Sequence, residues 1–74
     1  MNYTMETIPE WLVKWAVIQL RHIGVRLRRS DYREFAFRFC QDQFRGDSNE
    51  DIREFVWMER SAARQMKRLA AQQS

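Results

Sequence analysis

The chain predicts an all-α fold, a three-helix small domain with short connections. Three observations carry that expectation. Apolar residues recur at helical spacing over three stretches, the only two glycines (Gly24 and Gly46) punctuate those stretches, and hydroxyl or acidic residues stand where each stretch begins. With 74 residues there is room for one domain, 1–74, and no more.

Residues 1–6 lack periodicity and are expected to form a loose tail. Thr7-Ile8-Pro9-Glu10 then reads as a helix start, with Thr7 capping, Glu10 completing a capping box and Pro9 tolerated in the first turn. The first helix is expected over about 8–23, stopping at Gly24, which takes the left-handed conformation at low cost. Its apolar residues, from Trp11 and Leu12 to Leu20 and Ile23, cover nearly the whole circumference, as in a buried helix. Only Glu10, Lys14 and Arg21 make a polar strip. Val25–Arg28 alternates apolar and basic, a short extended stretch.

Ser30 or Asp31 opens a second helix, 31–45, ended by Gly46. Its apolar residues (Tyr32, Phe35, Ala36, Phe37, Phe39, Cys40, Phe44) span roughly 200° at about 100° per residue, more than one contact surface requires. Ser48, with Asp51 three residues on, caps a third helix over 49–71. Residues 72–74 are expected to fray. Two helices so widely apolar exceed what a lone three-helix chain hides, which predicts a homodimer, with Trp11, Trp15 and Phe37 as interface residues.

A chain this short buries only about 60% of its unfolded surface, so it needs staples, dense packing or self-association. Cys40 is the only cysteine and His22 the only histidine, which excludes an internal disulfide and leaves no zinc-ligand pair at metal spacing. No metal or cofactor is expected. Cys40 reads as an inert core thiol, and a free cysteine agrees with a reducing, cytoplasmic setting. No secretory signal is visible, and the apolar segment near the start contains Glu10 and Lys14, too interrupted for a bilayer span. No serine, cysteine or histidine arrangement suggests a nucleophile, so an enzyme is the least expected class.

The net charge of +3 is unevenly spread. Residues 1–20 sum to −1, and residues 46–74 balance five acids against five bases. Residues 21–45 hold seven arginines against Asp31, Glu34 and Asp42. Arginine outnumbers lysine eleven to two, and its planar fork suits phosphate and carboxylate better.

Two basic constellations follow. Arg53, Trp57, Arg60, Arg64, Lys67 and Arg68 fall on one stripe of the third helix. Like charges four residues apart repel by roughly a few tenths of a kcal/mol per pair, so the row is useful only where an anion or acidic partner faces it. The alternative is a solvated face with Trp57 packed beneath the first helix or a second chain. Arg21, Arg26, Arg28, Arg29 and Arg33 form a compact knob around the first turn. There the alternative is that Arg26 and Arg28 pair with Asp31, Glu34 or the acidic start of the third helix. Together stripe and knob would track a nucleic-acid backbone, with Trp57 stacking on a base or sugar. Glu59 falls within the apolar stripe of Ile52, Phe55, Val56, Ala62, Ala63, Met66, Leu69 and Ala70. It is expected in a structural ion pair or at an open surface awaiting a basic partner.

Val25–Arg28 followed by two helices bears some likeness to a ribbon-helix-helix DNA-binding module. The long preceding helix and the lack of a polar-alternating N-terminal strand depart from that pattern, so no family is assigned. The expected function is therefore a small non-enzymatic, regulatory nucleic-acid-binding protein using an Arg-rich face. The first alternative is an inhibitor or adaptor of phage or mobile-element type that docks this face on an acidic protein. The second is a helical subunit of a larger complex.

Overall fold

The computed structural model describes residues 1–73. It is all-helical, with α1 over Glu10–His22, α2 over Tyr32–Gln43 and α3 over Asn49–Gln72, and no strand among the described residues. A single 3-10 turn, Arg29–Asp31, leads into α2. The dimensions are 43 × 28 × 17 Å. The long axis reflects α3, whose 24 residues span about 36 Å.

The start of α1 differs from expectation. Pro9 is the N-cap, extended at φ −72° and ψ 153°, and its carbonyl accepts from Leu12 and Val13 N–H at 3.0 and 3.1 Å. The Thr7–Glu10 capping box does not form, because Thr7 is engaged with Thr4. The Thr4 N–H donates to Thr7 Oγ1 at 2.8 Å, and the Thr7 N–H donates to Thr4 Oγ1 at 3.2 Å. At the other end Gly24 sits at φ 90°. Its N–H reaches the Arg21 carbonyl, and the Val25 N–H reaches the Leu20 carbonyl at 2.9 Å, a Schellman closure.

Neither Ser30 nor Asp31 supplies a side-chain cap to α2, since the 3-10 turn feeds the helix directly. The helix ends at Gln43, two residues short of expectation, and the chain turns at Gly46 with φ 83°. Ser48 caps α3 as its position predicts, accepting from the Asp51 N–H at 3.2 Å. Gln72 and Gln73, expected to fray, instead close the helix: α3 runs through Gln72, and the Gln73 N–H donates to the Leu69 carbonyl at 3.2 Å, while the same expectation for Ser74 lies outside the described residues.

The core takes most of its volume from α1: Leu12, Val13, Trp15, Ala16, Val17 and Leu20, closed by Ile8, by Ala36, Cys40 and Phe44, and by Ile52 and Val56. Trp15 is its aromatic centre, with Phe39, Phe44 and Phe55 rings at 5.9, 5.4 and 6.2 Å. Trp15, expected at a subunit interface, is thus spent inside the chain, only 4% exposed. A helix apolar on all sides is equally suited to either place, and α2 and α3 cover it here. Trp11 and Phe37 are half-buried against the same core.

Residues 1–6, expected as a loose tail, are tied down. The N-terminal ammonium donates to the Phe44 carbonyl at 3.3 Å, and the Asn2 N–H donates to Asn49 Oδ1 at 3.0 Å. Met1 and Tyr3 pack against the core. The apolar stripe of α3 is buried only near its start. Only Ile52 and Val56 are buried, and residues 62–73 are exposed throughout, because α3 outruns the helices it packs on.

Candidate nucleic-acid interface

The polar strip of α1 sets the site. Glu10, Lys14 and Arg21 recur at steps of four and seven, so they share one face. That face overlooks an open cleft of about 590 Å³, floored by Val13, Val17 and Ile18. Arg29 enters from the 3-10 turn, Tyr32 and Arg33 from the start of α2, and Arg60 from α3. Five cations and one carboxylate therefore line a single concavity.

The five cations are not equivalent. Arg33 is a clamp, and the expectation that it contacts a ligand gives way to a structural role. Its Nε donates to the Met5 carbonyl at 2.8 Å, and its Nη2 donates to the Glu6 and Ile8 carbonyls at 3.0 and 2.8 Å. Its Nη1 lies 3.9 Å from Glu10 Oε2. Most of its donors are consumed, and the one acid of the cleft, Glu10, is exposed beside it. Arg21 is oriented: its Nη2 donates to Tyr32 Oη at 2.9 Å, and its Cζ lies 6.0 Å from the Tyr32 ring centroid. Lys14, Arg29 and Arg60 have no ion pair within 4.0 Å and no side-chain hydrogen bond among the described residues. The ion pairs there are Arg33–Glu10 and Arg38–Glu34. Glu34 is thus taken by Arg38, at 3.0 Å, rather than by Arg26 or Arg28.

Arg60 is the junction. It also lines a second cleft, formed with Trp11 across α1 and with Glu50, Arg53, Glu54, Val56 and Trp57 along α3. Trp57 is 66% exposed, so it is not packed beneath α1. Knob and stripe therefore meet, but only in part. Arg21, Arg29 and Arg33 join Arg60 in the first cleft, while Arg53 and Trp57 join it in the second. Arg26 lies with Gly24 and Leu27 at a shallow groove beyond the end of α1. Arg28 is exposed at the entry to the 3-10 turn. Arg64, Lys67 and Arg68 ride on the projecting half of α3, away from both clefts.

Lys14 and Tyr32 are site residues that the basic runs did not reveal. The signal for Lys14 was the α1 strip itself, seven residues before Arg21 on one face. Tyr32 was masked by its place in an apolar helix face. Glu59 is half-buried and has no ion pair within 4.0 Å among the described residues, so the expected internal pair is not formed. No helix among the described residues is long and apolar enough to cross a membrane. Comparison with protein-family models, curated proteins and solved structures returned no match.

Proposed function

We propose that the chain is a small, non-enzymatic nucleic-acid-binding protein that works as a homodimer in the cytoplasm. One observation carries this reading. Lys14, Arg29 and Arg60 come from three separate elements into one concavity, none of them in an ion pair within 4.0 Å among the described residues, beside an exposed tryptophan. Gathering like charge costs energy unless an anion shares the site, and a phosphate backbone supplies anions at regular intervals. In this reading Lys14, Arg21, Arg29 and Arg60 contact phosphates. Trp57 stacks on an unpaired base, which favours single-stranded or looped nucleic acid over intact duplex.

Fluorescence anisotropy with labelled single-stranded RNA, single-stranded DNA and duplex at two salt concentrations tests it. About four phosphate contacts on a single strand give a slope of about −3 for log affinity against log salt. Absence of binding at low salt, or a slope near zero, overturns the reading.

The second reading is an acidic protein partner met by the same cations. The half-buried Trp11 and exposed Trp57 favour it, since they flank a recess floored by Val56 that would seat an apolar side chain. Binding to an acidic protein that persists at salt concentrations abolishing nucleic-acid binding would select it.

A further inference from the structure

The second cleft carries groups that phosphate contacts leave unused. It is open, of about 560 Å³, within the range of small-molecule sites. Trp11 forms its wall on α1 and is half-buried against the core, which holds that ring in place. Glu54, Trp57 and Arg60 follow one another on α3 at steps of three, so each lies about one turn from the next. Glu50 and Arg53 complete the polar rim. Neither Trp11 nor Trp57 meets another aromatic ring among the described residues. Glu50 and Glu54 have no ion pair within 4.0 Å and no side-chain hydrogen bond among the described residues, although two arginines share their cleft.

We propose that this cleft takes an unpaired guanine base, with Glu54 reading its Watson–Crick edge. The proposal rests on the nucleic-acid reading above and names the base on which Trp57 stacks. A carboxylate only accepts hydrogen bonds, and it presents two oxygens side by side. Guanine offers N1–H and N2–H as adjacent donors, so both oxygens are used in parallel charge-assisted bonds. Adenine sets its N6–H beside the bare N1, and cytosine sets its N4–H beside the bare N3. In uracil and thymine, N3–H lies between two carbonyl oxygens. Each of these turns a lone pair toward one carboxylate oxygen, which guanine avoids. The edge is free only in an unpaired base, as single-stranded recognition requires.

The charge balance of the cleft identifies its occupant. A bare phosphate is repelled by Glu50 and Glu54, and a bare cation such as a methylated lysine by Arg53 and Arg60. A nucleotide carries donors at its base edge and an anion at its phosphate. That matches the order acceptor, ring, cation from Glu54 through Trp57 to Arg60. Arg60 lines both clefts, so a strand whose phosphates lie on Lys14 and Arg29 passes a base directly into the second.

Anisotropy with short uridine strands carrying one central guanosine, adenosine or inosine tests the selectivity. The guanosine strand is expected to bind about tenfold tighter than the adenosine strand, the worth of one bidentate pair at an open site. Inosine, which lacks the N2 amino group, should fall between them. Glu54→Gln presents one acceptor and one donor, and is expected to abolish the guanosine preference. Glu50→Gln removes the same charge and is expected to keep it. Both glutamates are exposed and outside the core, so neither change should move the unfolding midpoint.

Strand binding with the expected salt slope but no guanosine preference overturns the proposal and leaves the nucleic-acid reading standing. So does a preference that survives Glu54→Gln or is lost equally in Glu50→Gln. Tryptophan quenching by mononucleotides separates the two readings in the other direction. Quenching stronger with GMP than with AMP and lost in Trp57→Ala, with no binding of any strand, supports the guanine cleft and overturns the phosphate track. Quenching by a trimethyllysine peptide and not by GMP assigns the cleft to a cationic peptide and overturns the proposal.

Discussion

Arg33 Nη2 donates to the Ile8 carbonyl oxygen at 2.8 Å across twenty-five residues of chain. Together with its bonds to Met5 and Glu6, this one guanidinium fixes the turn that launches α1. Charged donors give the stronger hydrogen bonds, but this side chain is partly solvated, which reduces their net contribution. Arg33→Ala is expected to cost about 2 kcal/mol in urea denaturation. Arg33→Lys should recover less than half of that, because a lysine cannot fork to three carbonyls. A loss of nucleic-acid affinity without a loss of stability would contradict the clamp.

The opposite pattern is expected at Lys14, Arg29 and Arg60. Each changed singly to alanine should lower the magnitude of the salt slope by about one and weaken binding to all sequences alike. Stability should move by no more than about 0.5 kcal/mol at Lys14 and Arg29, which are exposed. Arg60 should have the largest effect on binding, because it serves both clefts.

The tryptophans divide in the same way. Trp57→Ala is expected to weaken single-strand binding by about 1–3 kcal/mol, the worth of one stacked base, and to leave the unfolding midpoint in place. Trp15→Ala should cost about 3–5 kcal/mol of stability through the cavity it leaves. Trp15→Phe should cost less, since the buried Nε1 of Trp15 has no hydrogen-bond partner to lose. Paired denaturation and anisotropy measurements on the variants check all three.

Burial pushes the Cys40 thiol up from 9.0 to about 12. The folded form therefore holds its proton where the unfolded form loses it. The stability from this group is complete below pH 9 and declines as pH rises from 9 toward 12. Native Cys40 should resist thiol reagents at pH 9 and react fully in denaturant. Rapid native labelling would contradict its burial.

Much of the fold was legible because it is written in local chemistry. Gly24 and Gly46 stop helices by adopting positive φ, and Ser48 caps by reaching a neighbouring N–H. What was not legible depends on distant parts of the chain. Residues 1–6 carry no period because they are held by Arg33, Phe44 and Asn49, none of them near in sequence. Thr7 and Glu10 have the spacing of a capping box, yet Thr4, the same three residues away on the other side, takes the hydroxyl. The stripe of α3 has a buried face by pattern, but pattern cannot tell where neighbouring helices end. The site was half legible: arginine runs mark Arg21 and Arg29, while the meeting point at Arg60 needed the packing of α3 across α1.

The overhang of α3 gives the chain a gradient of protection along a single helix. Ile52 and Val56 are anchored in the core, so their turns open only when the domain does. Past Ser61 the helix has no tertiary support, and about twelve residues of helix are marginal alone in water. Amide exchange in the monomer should therefore quicken steadily from Val56 toward Leu69. The slowing of that decay by any binder would locate its footprint turn by turn.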